Sequence, residues 1–154
     1  MSRPGGLVAL AAVAVAAVLA ACGTIQSSAP PHAPESFPEI VSQLGRFGVV
    51  AENWVAGDSG CSDATLGPTA IRFEASGLDQ ATAVPLRIYI FRNRETWDRR
   101  RADVDACIAE WAAEPATFEF VDPSPYVLTG PGPWPAEFEA AVRKALDEAS
   151  GSGG

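Results

Sequence analysis

Three groups of residues in this chain have the types and spacing that chemistry requires. Gly57-Asp58-Ser59-Gly60 sets a hydroxyl between two glycines, the setting in which a serine acts as nucleophile once a histidine base and an aspartate stand behind it. Cys22, Cys61 and Cys107 are the only cysteines, and His32 is the only histidine. Arg92, Arg94, Arg99, Arg100 and Arg101 gather half of the basic side chains beyond residue 3 into one short stretch, a set suited to carboxylates or phosphates. Two further features stand nearby in sequence. Asp103 and Asp105, two residues apart on a helix, project to different sides and do not make a close acid–base pair. Trp134, in the run Gly130-Pro131-Gly132-Pro133-Trp134-Pro135, is a candidate binding ring of the sugar-platform kind or a staple that packs down at a helix entry.

The Gly57–Gly60 run resembles the segment around the nucleophile of chymotrypsin-like serine proteases, in which glycine also lets the backbone form the oxyanion hole. The chain departs from that pattern in three ways. His32 lies in a proline-rich stretch ahead of the periodic part, Cys61 stands where a further glycine belongs, and about 110 folded residues are too few for two barrels. Ser59 therefore reads as part of a turn. No catalytic constellation is assigned, and the expectation is a protein that is not an enzyme. No metal or cofactor is expected either, because His32 has no second ligand near it and Cys61 and Cys107 lack a CxxC spacing.

Cys22 has a different context. Residues 1–6 carry Arg3, and residues 7–20, LVALAAVAVAAVLA, are uncharged and apolar. As a helix that run reaches about 21 Å, short of the hydrocarbon slab of about 30 Å, so it reads as a secretory leader and not as a permanent span. Leu19-Ala20-Ala21-Cys22 resembles the lipobox of bacterial lipoproteins. The resemblance covers roughly the first 25 residues. It implies a diacylglyceryl group on the Cys22 sulfur, cleavage before Cys22, and a further acyl chain of the palmitate kind on the new amine. Each buried methylene contributes about 0.8 kcal/mol, and two or more chains give stable anchoring. With Cys22 acylated, Cys61 and Cys107 remain as an even pair, expected to be a disulfide in an oxidising compartment; its loop of roughly 46 residues is worth about 4 kcal/mol in the chain-entropy model. Gly23 stands where an Asp would resemble a retention signal for the inner membrane. The expected location is the outer face of the cytoplasmic membrane, or the outer membrane if the cell is diderm.

These groups need elements to position them. Residues 22–38 form the lipidated cysteine and a Ser/Pro-rich tether, residues 39–149 a single domain, and residues 150–154 a flexible tail. A helical turn is expected around 39–44. Alternation then marks strands at 47–55, 69–75 and 84–92, with Pro85 pointing to an edge or a first position. Asn93 caps a helix on which Trp97, Val104, Ile108 and Trp111 form one stripe, flanked by Cys107. Short strands follow at 117–121 and 126–129, and a last helix starts at Pro135. The fold class is α+β, a small antiparallel sheet of about five strands with two helices packed on one face.

Eleven basic against nineteen acidic residues give a net charge of −8, which argues against binding nucleic acid through its phosphates. The functional reading is a membrane-anchored binding or interaction module of the bacterial cell envelope. Its partners are the membrane, through Cys22, and an envelope protein or glycan, met by the five arginines or by Trp134. Many of the arginines have acidic residues four positions away, so much of that charge can pair along the helix surface. Alternative readings are an envelope hydrolase using scattered carboxylates and a structural assembly subunit.

Overall fold

The computed structural model describes residues 36–151, so Cys22, His32, the leader and most of the tether lie outside the described residues. The chain begins with α1 (Phe37–Arg46). Pro38 and Glu39 in its first turn and Arg46 in its last suit the ends of a helix, and Phe37, Ile40 and Leu44 recur on one buried face. The strands β1 (Val50–Ala56), β2 (Ala70–Gly77) and β3 (Gln80–Ile90) then run as an antiparallel meander. After α2 (Arg94–Trp111) come β4 (Phe118–Val121), β5 (Tyr126–Pro131) and α3 (Ala136–Ala149). The sheet has five strands in the order β1-β2-β3-β5-β4, every neighbouring pair antiparallel. The α+β class and the small five-stranded sheet are those expected from the sequence.

Alternation along β3 decides how the layers stack. Leu86, Ile88 and Ile90 join Ile71, Phe73, Ala75, Tyr126 and Leu128 on one face, beneath α1 and the Phe138, Val142, Ala145 and Leu146 side of α3. Tyr89 and Phe91 join Ala70 and Val127 on the other, beneath Val104, Cys107 and Ile108 of α2 and Leu66 of the β1–β2 loop. Two helices do share one face, but they are α1 and α3. The sequence reading pairs α2 with α3, whereas α2 covers the opposite face. The reason lies in the residues themselves, since the second set on β3 carries two aromatic rings that also have to be buried.

Pro85 sits inside β3 and not at its start. It pairs with Glu74 on β2, while the β3–β5 ladder begins only at Arg87, so the strand is a local edge at Pro85 and its missing N–H costs no ladder bond there. The β2–β3 turn reaches back to the end of the chain: both Asp79 carboxylate oxygens accept backbone N–H groups of α3, Glu137 at 3.0 Å and Phe138 at 2.8 Å. Those are the orphan donors that every helix start exposes.

Candidate binding surfaces

The β1–β2 loop, residues 57–69, is held down along its whole length. Cys61 is bonded to Cys107 of α2 across 46 residues of sequence, with the two Cα atoms 5.2 Å apart. Beside the bridge, the Ser62 backbone N–H and hydroxyl donate to the Glu110 carboxylate at 2.8 and 3.1 Å. Asp63 accepts from the Thr65 hydroxyl and backbone N–H, and these bonds hold its carboxyl below its ordinary pKa. Arg100 closes the far end by donating to Thr65 Oγ1 at 2.8 Å and to Asp63 at 3.4 Å.

Gly57-Asp58-Ser59-Gly60 occupies the start of this loop, and its residues do structural jobs. One Asp58 carboxylate oxygen accepts from Arg72 Nε at 3.0 Å and the other from Arg87 Nη2 at 3.1 Å, which joins β2 and β3 to the loop. Gly57 and Gly60 have φ near +84° and +81°, in the left-handed region. A Cβ at Gly60 would lie 2.8 Å from Arg87 and 2.9 Å from Trp111. The Ser59 residue is buried, and its carbonyl accepts the Tyr89 hydroxyl at 2.8 Å. Burial pushes the Tyr89 pKa up, with the Arg87 guanidinium acting in the opposite direction. With His32 outside the described residues, the run serves here as a clamp between sheet and α2.

The arginine cluster divides in two. Arg100 pairs with Asp63 and Asp103, and Arg101 with Asp105 and Asp122, so both are committed to fastening α2. This also accounts for Asp103 and Asp105. Arg94 and Arg99 are well exposed and make only long contacts to Asp98 and Glu95, at 3.9 and 3.7 Å, the kind of surface pair that contributes little. Arg92 is exposed beside them. Trp134 is buried at 6% exposure, with its N–H donating to the Pro131 carbonyl at 2.9 Å and its ring edge-to-face on Phe138. It is a staple for α3, and its ring is spent on packing.

Clefts open on the described surface at several places. One of about 650 Å³ runs along the clamped loop and is lined by Ser59, Cys61, Ser62 and Pro68 among others. A groove of about 440 Å³ lies at the C-terminal end of α2, between Pro85, Arg87, Trp111, Phe118 and Pro131, with Glu114 and Thr117 at its rim. Arg87 stacks on Trp111 at 4.3 Å from the ring centre, and Phe118 meets Trp111 edge-on. A smaller cleft, about 250 Å³, is apolar and is formed by Phe37, Pro38, Val41 and Trp54.

Arg87, Trp111 and Phe118 were not singled out as a site by the sequence. Trp111 reads there as helix stripe, Arg87 as part of the 84–92 strand, and Phe118 as part of the 117–121 strand. Only the register that sets Arg87 opposite Thr129 brings the three together. Among the described residues no group of three or more His, Cys, Asp and Glu side chains is placed to hold a metal ion, and no helix is long and apolar enough to cross a membrane. No protein-family model matches the chain, and no curated protein or solved structure does.

Proposed function

We propose that this chain is a lipid-anchored protein of the bacterial cell envelope, held outside the cytosol by acyl chains on Cys22, whose disulfide-bonded domain binds a partner protein. The Cys61–Cys107 bridge supports the reading most directly. An oxidised pair fits an extracytoplasmic compartment, and it leaves Cys22 as the one cysteine for the lipobox at the end of the apolar leader. Direct labelling tests the anchor. Cells fed an alkynyl fatty acid should yield a labelled product that partitions with membranes, with an intact mass starting at a modified Cys22. Cys22→Ser should abolish label and partitioning together; an unmodified Cys22 in the native product defeats the proposal.

The Arg87–Trp111 groove is the contact this reading favours. Its size falls in the range of ligand clefts, and its walls combine two rings and two prolines with the Arg87 guanidinium, Glu114 and Thr117. Such walls suit a polypeptide segment better than a glycan, whose hydroxyls ask for more side-chain donors and acceptors. A photo-crosslinking residue in place of Thr117, at the rim, should capture a discrete protein from intact cells. The same residue in place of Arg143, on the exposed side of α3, should not.

A further inference from the structure

The largest exposed apolar side chains among the described residues all lie along one margin of the domain: Val50, Trp54 and Val55 on β1, and Leu78 in the β2–β3 turn. Trp54, 55% exposed, is the most open of them. Its position follows from the backbone. Asn53 has a φ of 54°, which an asparagine tolerates better than most residues, and between Glu52 and Val55 the strand carries one residue more than its partner. The bulge bends this edge strand and leaves the indole beside α1, edge-on to Phe37 at 6.1 Å, over the apolar cleft with Pro38 and Val41. At the other end of α1, the Lys144 ammonium lies 4.8 Å and the Arg46 guanidinium 5.9 Å from the centre of the Phe47 ring. The margin therefore offers an indole and an apolar cleft, with two cations on an aromatic ring at the far end of α1, of which Arg46 is also paired with Glu148 at 3.5 Å.

What covers this margin is indicated by where the chain leaves it. Ser36, next to Phe37 and Pro38, is only fourteen residues on from Cys22, a reach of at most about 50 Å. If Cys22 is acylated, the tether joins the bilayer to the domain at Phe37, the residue against which the exposed indole packs. Tryptophan favours the headgroup level of a bilayer, and Arg and Lys place their charge at lipid phosphates. The overall charge of −8 disfavours a strongly anionic surface, so the matching surface is a zwitterionic one.

We infer that the α1–β1 margin, with Trp54 at its centre, is a lipid-facing surface by which the tethered domain lies against the phospholipid headgroups. The inference rests on the anchor reading above. A domain seated in this way would turn its other side, with α2 and the Arg87–Trp111 groove, away from the lipid.

The test uses the full processed protein, purified in detergent and reconstituted into phosphatidylcholine vesicles, with brominated phosphatidylcholine as the quencher. The expected result is quenching of up to about a quarter of the emission, the share of one tryptophan in four, with the quenched component missing in Trp54→Phe. Trp54→Ser should still float with the vesicles through its acyl chains, yet lose the slowed amide exchange that vesicles give α1 and β1 in the wild type. Acylated protein that floats without quenching at Trp54 overturns the inference while the anchor reading stands. Zero-length crosslinks between two copies at β1 in the vesicles also overturn it, because a second copy then covers the margin. A bare Cys22 by mass, with no flotation, removes the anchor reading and the inference with it.

Discussion

The two sides of the sheet are fastened in opposite ways. On the α2 side, a helix with three fully buried side chains, Val104, Cys107 and Ile108, is tied to the 57–69 connection by a disulfide, a Ser62–Glu110 pair and the Arg100 contacts to Asp63 and Thr65. On the α1–α3 side, apolar packing does most of the holding: Phe37, Ile40, Leu44, Phe138, Val142, Ala145 and Leu146 cover the sheet, and beyond them a large apolar group still faces outward at Trp54. A helix with so narrow a buried stripe gains little from the hydrophobic effect and needs covalent and polar ties. The side with a broad stripe can leave an apolar edge uncovered, and that edge is free to meet something else.

Breaking the bridge should have the largest consequence. Cys61→Ala with Cys107→Ala should cost about 4 kcal/mol in denaturant unfolding, the entropy of closing a loop of that length. The sharper readout is local. Amides of α2 and the 57–69 loop should exchange much faster in the reduced protein, while those of β2, β3 and α3 keep their protection until global unfolding. Uniform loss across both sides would mean that the two are one cooperative unit and that the contrast is only geometric.

Most of this frame is written in the sequence, because each element carries its own period and its own caps. Asn93 accepts the Thr96 N–H as a helix cap should, and the alternation over Ile71, Phe73 and Ala75 predicts the buried face of β2. What the sequence hides is anything decided by register between distant strands. Alternation shows Tyr89 and Phe91 facing away from Ile88 and Ile90, but it does not say that a second helix layer waits there. Arg87, Trp111 and Phe118 come from three elements, so no local window contains their groove. The arginine cluster is only partly legible for a related reason: the partners of Arg100 and Arg101 include Asp63 and Asp122, far away in sequence, and pairing within the helix accounts for only part of the neutralisation.

A smaller effect, on the same side, should come from Gly60→Ala. The new methyl would meet Arg87 and Trp111 below 3.0 Å and stand on a left-handed residue, so the loop has to lift or the stacked pair has to part. The expected cost is about 2 kcal/mol in urea unfolding. Binding of the crosslinked partner should weaken as well, because the Arg87–Trp111 stack lines the groove. Gly151→Ala, another left-handed glycine but with open space around it, should cost less and spare binding.

Alkali should act on this side too. Tyr89 keeps its proton in the fold above the ordinary tyrosine value of about 10, because burial disfavours the phenolate. The unfolded chain releases that proton first, so stability should hold below pH about 10 and fall as the pH rises from there towards the raised value in the folded protein. Tyr89→Phe should flatten that fall, apart from the part contributed by Tyr126, whose pKa burial also raises. Unfolding midpoints recorded on both sides of pH 10 in the two proteins check the sign.

The smallest effect on stability should come from the residue most open on the other side. Trp54→Ser removes a ring that is 55% exposed and meets the core at Phe37, on a strand whose ladder does not depend on that side chain. Its cost in denaturant should be within about 0.5 kcal/mol. An apolar surface that contributes so little to its own fold has no intramolecular reason to be tryptophan, since a polar residue there would keep the edge soluble and guard it against pairing with other chains. A loss of 2 kcal/mol or more would give the indole a structural role after all and remove the contrast between a stapled side and a side left free for contact.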